Sequence, residues 1–368
     1  MGDAYNEKTV TSRGDNCNMK QKTFLSGGFQ ANNQFLLKKL DKVMAKIVDT
    51  EVLNLPQDVP DDIQAFYDEL GHPFFDSKTK APILKLAKLQ LRIWMLHRKY
   101  KKLLVLKSQK IGISSLCILI CLWHAFTDCM GMEILITAQS DEQAKTHAQD
   151  LRRLILGSDK YRDYLITSEF TQLGLLKDEV TKVHTIYLHN PKNMRLPTKI
   201  IVAGMSPGAL LSHKRVGLVW SSDMTISGLT SQKMNDVWSA FISRLALTQG
   251  PCIVECPARA PAGPVYDTFE RYEKEKEMKR RLDPAHDFYV EKFTYQLGIR
   301  DGFFTEKFIE AEKRILGPLF GTLYNADFFA SENTWYSEEH FANKTEEATD
   351  LFMAFHDKDD SLSDLTDD

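Results

Sequence analysis

Short aliphatic runs alternate with amphipathic stretches along most of the chain. The runs predict strands, whereas apolar positions three and four residues apart predict helices. The predicted strands are residues 103–106, 133–137, 198–203, 216–220, 252–256 and 288–293. The predicted helices are residues 34–48, 62–70, 82–97, 114–126, 141–156, 231–247, 264–281 and 305–316. This alternation indicates an α/β fold with a mostly parallel central sheet flanked by helices.

The two ends of the chain differ in composition from its centre. Residues 1–33 are polar, so we expect disorder there. They also lack the apolar core of a secretory signal. Residues 34–76 are predicted to form a helical lead-in or lid region, and residues 77–345 the main domain. Residues 346–368 are an acidic tail or the start of a further domain. The apolar run at residues 116–126 is too short to span a membrane.

Charge is distributed unevenly along the chain. The formal net charge is −3, yet residues 77–127 contain eleven Lys and Arg and no Asp or Glu. The rest of the chain holds 36 Lys and Arg against 50 Asp and Glu, a net of −14. A basic segment in an acidic chain indicates a polyanion as ligand, and both a nucleoside triphosphate and DNA qualify. A solvated helix face is the alternative interpretation.

A polar turn with one glycine joins the strand at 103–106 to the apolar helix at 114–126. The first N–H groups of a helix and its dipole suit a phosphate. Gly112 lets the backbone approach the phosphates closely, and the hydroxyl of Ser114 or Ser115 suits Mg²⁺. The segment therefore predicts a phosphate site for a nucleotide.

The turn departs from the ordinary P-loop pattern G-x-x-x-x-G-K-[ST]. Ile113 stands where that pattern places a lysine. The lysines available are Lys107, where the loop begins, and Lys110, and either can reach the β- and γ-phosphates from the other side of the loop. On this turn alone, a strand–turn–helix connection without a ligand remains open.

The octapeptide K-S-Q-K-I-G-I-S at residues 107–114 resembles a variant first motif of the large terminase family, K-S-x-R-x-G-x-S. The resemblance makes Lys107 the phosphate-binding lysine, puts Lys110 in the place of the arginine and includes Ser108 in the ATP-binding loop. Upstream, Gln90 resembles the glutamine with which the family reads adenine. An amide suits that task because it both donates to and accepts from the base.

Further segments follow in the order that the family has them. Residues 134–144 resemble its second strand and the helix after it. The sequence G-M-S-P-G-A-L at residues 204–210 resembles the G-x-S-P-x-x-L segment that precedes the second phosphate-site strand, here residues 216–220. The resemblance extends over roughly residues 70–345.

The family usually has Asp-Glu after that strand, with the Asp holding Mg²⁺ through water and the Glu activating the attacking water. This chain has Ser222 and Asp223 instead. The resemblance therefore assigns the acidic role to Asp223, as a partner of Mg²⁺ together with Ser114, as the residue that orients water, or as both. It also requires Asp223 to face the loop around Gly112. An aspartate that caps a turn after a buried strand is the structural alternative.

Residues 252–266 resemble the coupling motif, a strand followed by proline, glycine and an aromatic residue. The resemblance makes Arg259 the candidate γ-phosphate sensor, with a surface arginine as the alternative. A positive group must also offset charge on the γ-phosphate. Lys110 is the candidate within the chain, and Arg215 and Arg244 are candidates for an arginine supplied to a neighbouring subunit.

Together these segments imply a P-loop NTPase of the additional-strand, terminase-like type. The implied function is an ATPase motor that uses ATP and Mg²⁺ to move double-stranded DNA into a viral procapsid. The implied partners are the portal protein, the small terminase subunit and further copies in a ring on the portal. The implied location is the cytoplasm of an infected host cell, transiently at the procapsid. No nuclease activity is expected from this chain.

Two alternatives remain open from the sequence. The substitutions Ile113 and Ser222 also fit a degenerate, non-hydrolysing relative that binds DNA or a capsid. A helicase-like P-loop ATPase is the other alternative, and it differs from a packaging motor in separating DNA strands.

Overall fold

The computed structural model describes residues 55, 58–76, 79–166, 183–226, 231–259 and 261–328. These residues belong to one compact unit, Val52–Asp368. The predicted helix at 34–48, the predicted disorder at 1–33 and the tail at 346–368 lie outside the described residues.

The described residues form α-helices and strands in alternation. The α-helices among the described residues are α1 (Ile63–Glu69), α2 (Lys88–Lys99), α3 (Ile113–Phe126), α4 (Asp141–Leu156), α5 (Pro207–Leu211), α6 (Ser231–Arg244), α7 (Pro264–Glu277), α8 (Tyr295–Arg300) and α9 (Glu306–Leu316). The strands are β1 (Lys102–Lys107), β2 (Glu133–Ala138), β3 (Val183–Leu188), β4 (Thr198–Gly204), β5 (Val216–Ser222), β6 (Cys252–Cys256) and β7 (Phe288–Phe293).

These strands form one sheet in the order β3-β4-β2-β5-β6-β1-β7. Every neighbouring pair is parallel except β3 and β4, which are antiparallel. The predicted mostly parallel sheet is therefore confirmed. One additional strand, β6, lies between β1 and β5. Because parallel strands end at the same edge of a sheet, the residues that end β1, β6 and β5 are neighbours.

Side chains alternate between the two faces of the sheet and bury a separate core on each face. Leu103 and Val105 of β1 pack into the core beneath α1, α2, α3 and α4. Leu104 and Leu106 pack into the opposite core with residues of α5, α6 and α7. The run of apolar residues in α3 is buried along nearly its whole length, as expected for a helix that is apolar on every side. No described helix is long and apolar enough to cross a membrane.

The main error of the sequence prediction concerns the start of α2, which was placed at residue 82 but lies at Lys88. The backbone of Pro82 forms a bridge with Phe75, and the N–H of Leu86 donates to the Gln64 side chain at 2.8 Å. These tertiary contacts keep residues 82–87 out of the helix, although a proline is well placed in a first helical turn.

The strand β3 and the helices α5 and α8 were not predicted. The strand β3, with the sequence V-H-T-I-Y-L, contains polar residues among its apolar ones and occupies the edge of the sheet. Its position there depends on pairing with β4 and not on a long aliphatic run. The remaining predicted strands and helices occur within a few residues of their expected bounds.

Candidate functional site

The loop after β1 leads directly into the N-terminus of α3. Gly112 precedes the helix with φ 72°, in the left-handed region that favours glycine. No described side chain caps the first turn of α3. The first N–H groups of this helix therefore point toward the loop with the positive end of the helix dipole behind them, an arrangement that binds anions.

Neighbouring elements hold the loop by its backbone. The N–H of Ser108 donates to the carbonyl of Phe293 at 2.7 Å, at the end of β7. The N–H of Gln109 donates to the carbonyl of Leu323 at 2.9 Å. Ser108, which the sequence placed in the ATP-binding loop, is fully buried. The loop is thus fixed at its first two residues, before it reaches the helix.

Gln90, the predicted adenine-reading residue, lies against the other end of this loop. Its Nε2 donates to the carbonyl of Gly112 at 2.8 Å, and its Oε1 accepts from the N–H of Ala87 at 2.9 Å. The side chain is buried. In this structure Gln90 connects the start of α2 to the last residue of the loop.

The ammonium group of Lys107 lies among oxygen atoms from three elements. Its Nζ is 3.0 Å from Asp223 Oδ1 and 3.0 Å from the Ser114 hydroxyl oxygen. It also forms an ion pair with Oε2 of Glu255. The Lys107 side chain is only 9% exposed. The structure therefore brings together Lys107, Ser114 and Asp223, three residues that the sequence proposed for one nucleotide site.

Glu255 is the residue of this cluster that the sequence reasoning missed. It lies in β6 and is completely buried. Its Oε1 accepts hydrogen bonds from the hydroxyls of Ser114 at 3.0 Å and Ser222 at 2.9 Å. The signal was a single glutamate inside the run C-I-V-E-C, because a buried strand rarely contains an ionisable residue without a partner. Its partner, Lys107, is far away in sequence.

Burial and charge act against each other in this cluster. Burial alone lowers the pKa of the Lys107 ammonium, but the carboxylates of Glu255 and Asp223 outweigh it and hold that pKa above its ordinary value. Burial raises the pKa of the Glu255 carboxyl, and the charge of Lys107 opposes this effect. A lysine that remains charged in a buried position is available to bind phosphate.

Asp223 is held from both sides. Its backbone has φ 54°, in the left-handed region, and its N–H donates to the carbonyl of Glu255 at 2.7 Å. Its Oδ2 accepts from Gln143 Nε2 at 2.8 Å. One helical turn further along α4, His147 Nε2 lies 3.3 Å from the hydroxyl of Ser222. Burial lowers the pKa of His147 to about 4, so its ring is neutral at pH 7.

Three other proposed residues are close in sequence to members of the cluster. Lys110 is exposed and has φ 58°. Ser115 is half-buried in the first turn of α3. Arg259 follows β6 and is half-buried, and its Nε has no hydrogen-bond partner among the described residues. The polar side chain within β6 that contacts the loop residue Lys107 is Glu255.

The two arginines proposed to serve a neighbouring subunit lie at the opposite edge of the sheet. Arg215 is exposed and immediately precedes β5. Arg244 donates through Nη1 to the carbonyls of Leu211 and His213, in the segment that leads into β5. Both positions are therefore remote from the Asp223 of the same chain.

The oxygen atoms around Lys107 are of the kind that Mg²⁺ prefers. They come from one hydroxyl, of Ser114, and two carboxylates, of Asp223 and Glu255. Mg²⁺ binds hard oxygen ligands, commonly one or two carboxylates with substrate phosphates and water. In this structure the ammonium of Lys107 is the cation among these oxygens, so a divalent cation would fit this donor set once the lysine turns away to a phosphate.

Comparisons with known proteins identify the fold. No protein-family model and no curated protein matches the chain. The structure is similar to the large terminase ATPase domain of Thermus phage P74-26, with TM-score 0.51 and 14% identity, over 74% of this chain and 99% of that one. It is similar to the large terminase of bacteriophage HK97, with TM-score 0.51 and 13% identity, over 74% of this chain and 57% of that one.

A DEAD box protein from Methanococcus jannaschii is also similar, with TM-score 0.36 and 15% identity, over 72% of this chain and 62% of that one. The chain has the P-loop NTPase fold of large terminase ATPase domains. The resemblance inferred from the sequence is thereby confirmed at the level of the fold. The chain spans a little over half of the HK97 terminase.

Proposed function

We propose that this chain is the ATPase engine of a viral DNA-packaging motor of the large-terminase kind. The observation that carries the proposal is the convergence of Lys107, Ser114 and Asp223 at the carboxyl edge of the sheet. This convergence occurs at the N-terminus of α3, on a fold shared with large terminase ATPase domains. A phosphate-binding helix end, a charged lysine and an acid are the groups that phosphoryl transfer requires.

Each group has a distinct task in ATP hydrolysis. The N–H groups at the start of α3 and the ammonium of Lys107 bind the phosphates. Ser114 and the carboxylates beside it would hold Mg²⁺, whose charge would offset that of the bound phosphates. Asp223 orients the attacking water. Gln90, which contacts the loop from α2, is our proposed residue for the adenine side of the site.

The decisive measurement is phosphate release from ATP by the purified chain, with and without double-stranded DNA. We expect Mg²⁺-dependent release that Lys107→Ala lowers by on the order of 100-fold or more, because the charge on the phosphates then lacks its fixed partner. Lys102→Ala is the matched control, since Lys102 lies on the same strand but donates to the carbonyl of His286. The proposal would be contradicted if the wild-type chain released no phosphate from ATP, or if Lys107→Ala released it at the wild-type rate.

Double-stranded DNA is the proposed polyanion, and the basic segment supports it. Lys85, Lys88, Arg98 and Lys99 are exposed on and beside α2. Contacts between such residues and DNA phosphates are independent of sequence and weaken steeply with salt. We also propose the portal protein, the small terminase subunit and further copies of the chain as partners.

Neutralising Lys88 and Lys99 together should weaken DNA binding and lower its salt dependence by about two ion equivalents. Lys274→Ala, which removes an exposed lysine paired with Glu270 on α7, is the control and should change neither. DNA binding without ATP hydrolysis would favour the non-hydrolysing alternative. ATP-dependent strand separation would favour the helicase-like one.

A further inference from the structure

Ser222 and Glu255 are direct neighbours in the parallel pair of β5 and β6. The Ser222 hydroxyl donates to Glu255 Oε1 at 2.9 Å. Ser222 stands where the resemblance to large terminases expects the acid that serves Mg²⁺. The carboxylate next to that position therefore comes from the adjacent strand.

Glu255 and Asp223 differ in the residues that donate hydrogen bonds to their carboxylates. Glu255 accepts from the hydroxyl of Ser114, the residue at the start of α3 proposed to bind Mg²⁺. Asp223 accepts instead from Gln143, on the side of α4. The two carboxylates thus reach Lys107 from different directions, and Glu255 is the one linked to Ser114.

The need to balance the charge of Lys107 does not by itself explain why a second carboxylate, that of Glu255, is buried beside it. Asp223 already supplies one negative charge within 3.0 Å of the ammonium. With Glu255 the cluster has two carboxylates for one ammonium, although burial of a second charged group is costly. Two carboxylates match the charge of a divalent cation once the lysine has turned to a phosphate.

We propose that Glu255 supplies, from β6, the metal-side carboxylate that β5 lacks at Ser222, and that it positions Mg²⁺ together with Ser114. Asp223 is then left to orient the attacking water. This inference rests on the ATPase function proposed above, and it makes Glu255 a positioning residue for that reaction.

The test compares Glu255→Gln with a carboxylate exchange, Ser222→Asp/Glu255→Ser. Glu291→Gln is the matched control, because Glu255 and Glu291 flank the same residue, Val105, on opposite sides of β1, and Glu291 pairs with Arg92. Three quantities are measured: the rate of ATP hydrolysis against Mg²⁺ concentration, the affinity for a non-hydrolysable ATP analogue with and without Mg²⁺, and the thermal unfolding midpoint.

Glu255→Gln should reduce the Mg²⁺-dependent gain in analogue affinity, and the hydrolysis rate, by on the order of 10- to 100-fold. The affinity for the analogue in the absence of Mg²⁺ should not decrease, because Lys107 keeps its charge. The exchange should restore most of the Mg²⁺ dependence, and Glu291→Gln should match the wild type. A merely structural role for Glu255 would weaken analogue binding equally with and without Mg²⁺.

The outcomes separate this inference from the proposed function. Wild-type hydrolysis with an unchanged Mg²⁺ requirement in Glu255→Gln would overturn the role of Glu255 and leave the ATPase intact. A folded exchange variant that recovers no Mg²⁺ dependence would overturn it as well. The wild-type chain could bind the analogue in a Mg²⁺-dependent way but release no phosphate from ATP. If Glu255→Gln then weakened that binding, the result would support the role of Glu255 and contradict the ATPase.

Discussion

The side-chain amide of Gln90 joins the start of α2 to the carbonyl of Gly112, which it meets at 2.8 Å. Its oxygen accepts at the same time from the N–H of Ala87. A single side chain therefore links the start of α2 to the residue that immediately precedes α3. The conformation of the loop between β1 and α3 depends on this link, because the carbonyl of Gly112 lies immediately before the first N–H groups of the helix.

Gln90→Ala should lower the free energy of unfolding by about 1–3 kcal/mol, since it leaves buried partners unsatisfied, and should also weaken ATP binding. The control is Gln64→Ala, which removes a similar amide that bonds to the backbone of Leu84 and Leu86 without contacting the loop. Chemical denaturation and titration with an ATP analogue measure the two effects. Equal losses of ATP affinity in both variants would show that the loop does not depend on Gln90.

Gly112→Ala should weaken nucleotide binding more than its effect on stability explains. An alanine at φ 72° costs about 1–2 kcal/mol, and its Cβ would lie 3.0 Å from a ring carbon of Phe303. Gly71→Ala is the matched control, because Gly71 has φ 76° and nothing within 4 Å of the added carbon. Both variants should lose stability, but only Gly112→Ala should lose ATP affinity. Unchanged affinity in Gly112→Ala would argue against phosphate binding at this loop.

Lys107 and Lys110 should differ strongly as phosphate ligands. Lys107 is buried with two acids and a hydroxyl, whereas Lys110 is exposed. Lys110→Ala should reduce ATP affinity by less than about tenfold, as expected for an exposed charge. Lys107→Met, which keeps the length of the side chain without its charge, should remove measurable affinity. A larger loss of ATP affinity in Lys110→Ala than in Lys107→Met would indicate that Lys110 is the phosphate-binding lysine.

Stability should fall in mildly acidic solution because two buried histidines must stay neutral. His97 Nε2 and His124 Nε2 are 2.7 Å apart beneath Arg98, with Asp128 3.6 Å from His124 Nδ1. Burial, reinforced by Arg98, lowers the pKa of His97 to about 3, and burial lowers that of His124 well below its ordinary value. The unfolded chain binds protons below about pH 6.5 while the folded pair does not, so the free energy of unfolding decreases as the pH falls.

For His97 alone this loss is about 1 kcal/mol between pH 7.5 and 5.5. Urea denaturation at the two pH values should therefore show a smaller loss in His97→Gln than in the wild type. His286→Gln replaces an exposed histidine and should behave as the wild type does. A loss of the same size in His97→Gln as in the wild type would mean that His97 does not take up a proton on unfolding.

Local sequence patterns determined most of the architecture. Aliphatic runs fixed β1, β2, β4, β5 and β6, and helical periodicity fixed α4 to its bounds, because both patterns reflect which side chains must be buried. The candidate phosphate loop could also be predicted, since a strand, a glycine turn and an apolar helix follow one another without interruption. The same pattern placed Asp223 directly after a buried strand.

Only the tertiary structure decided which side chains complete the site. The register that puts Ser222 and Val105 on either side of Glu255 is set by pairing between strands that are distant in sequence. No periodicity in the chain reveals which strands become neighbours, because that choice depends on how the helices cover both faces of the sheet. A glutamate in an apolar strand was therefore conspicuous in the sequence, but its ion pair with Lys107 exists only because the fold brings β1 and β6 together.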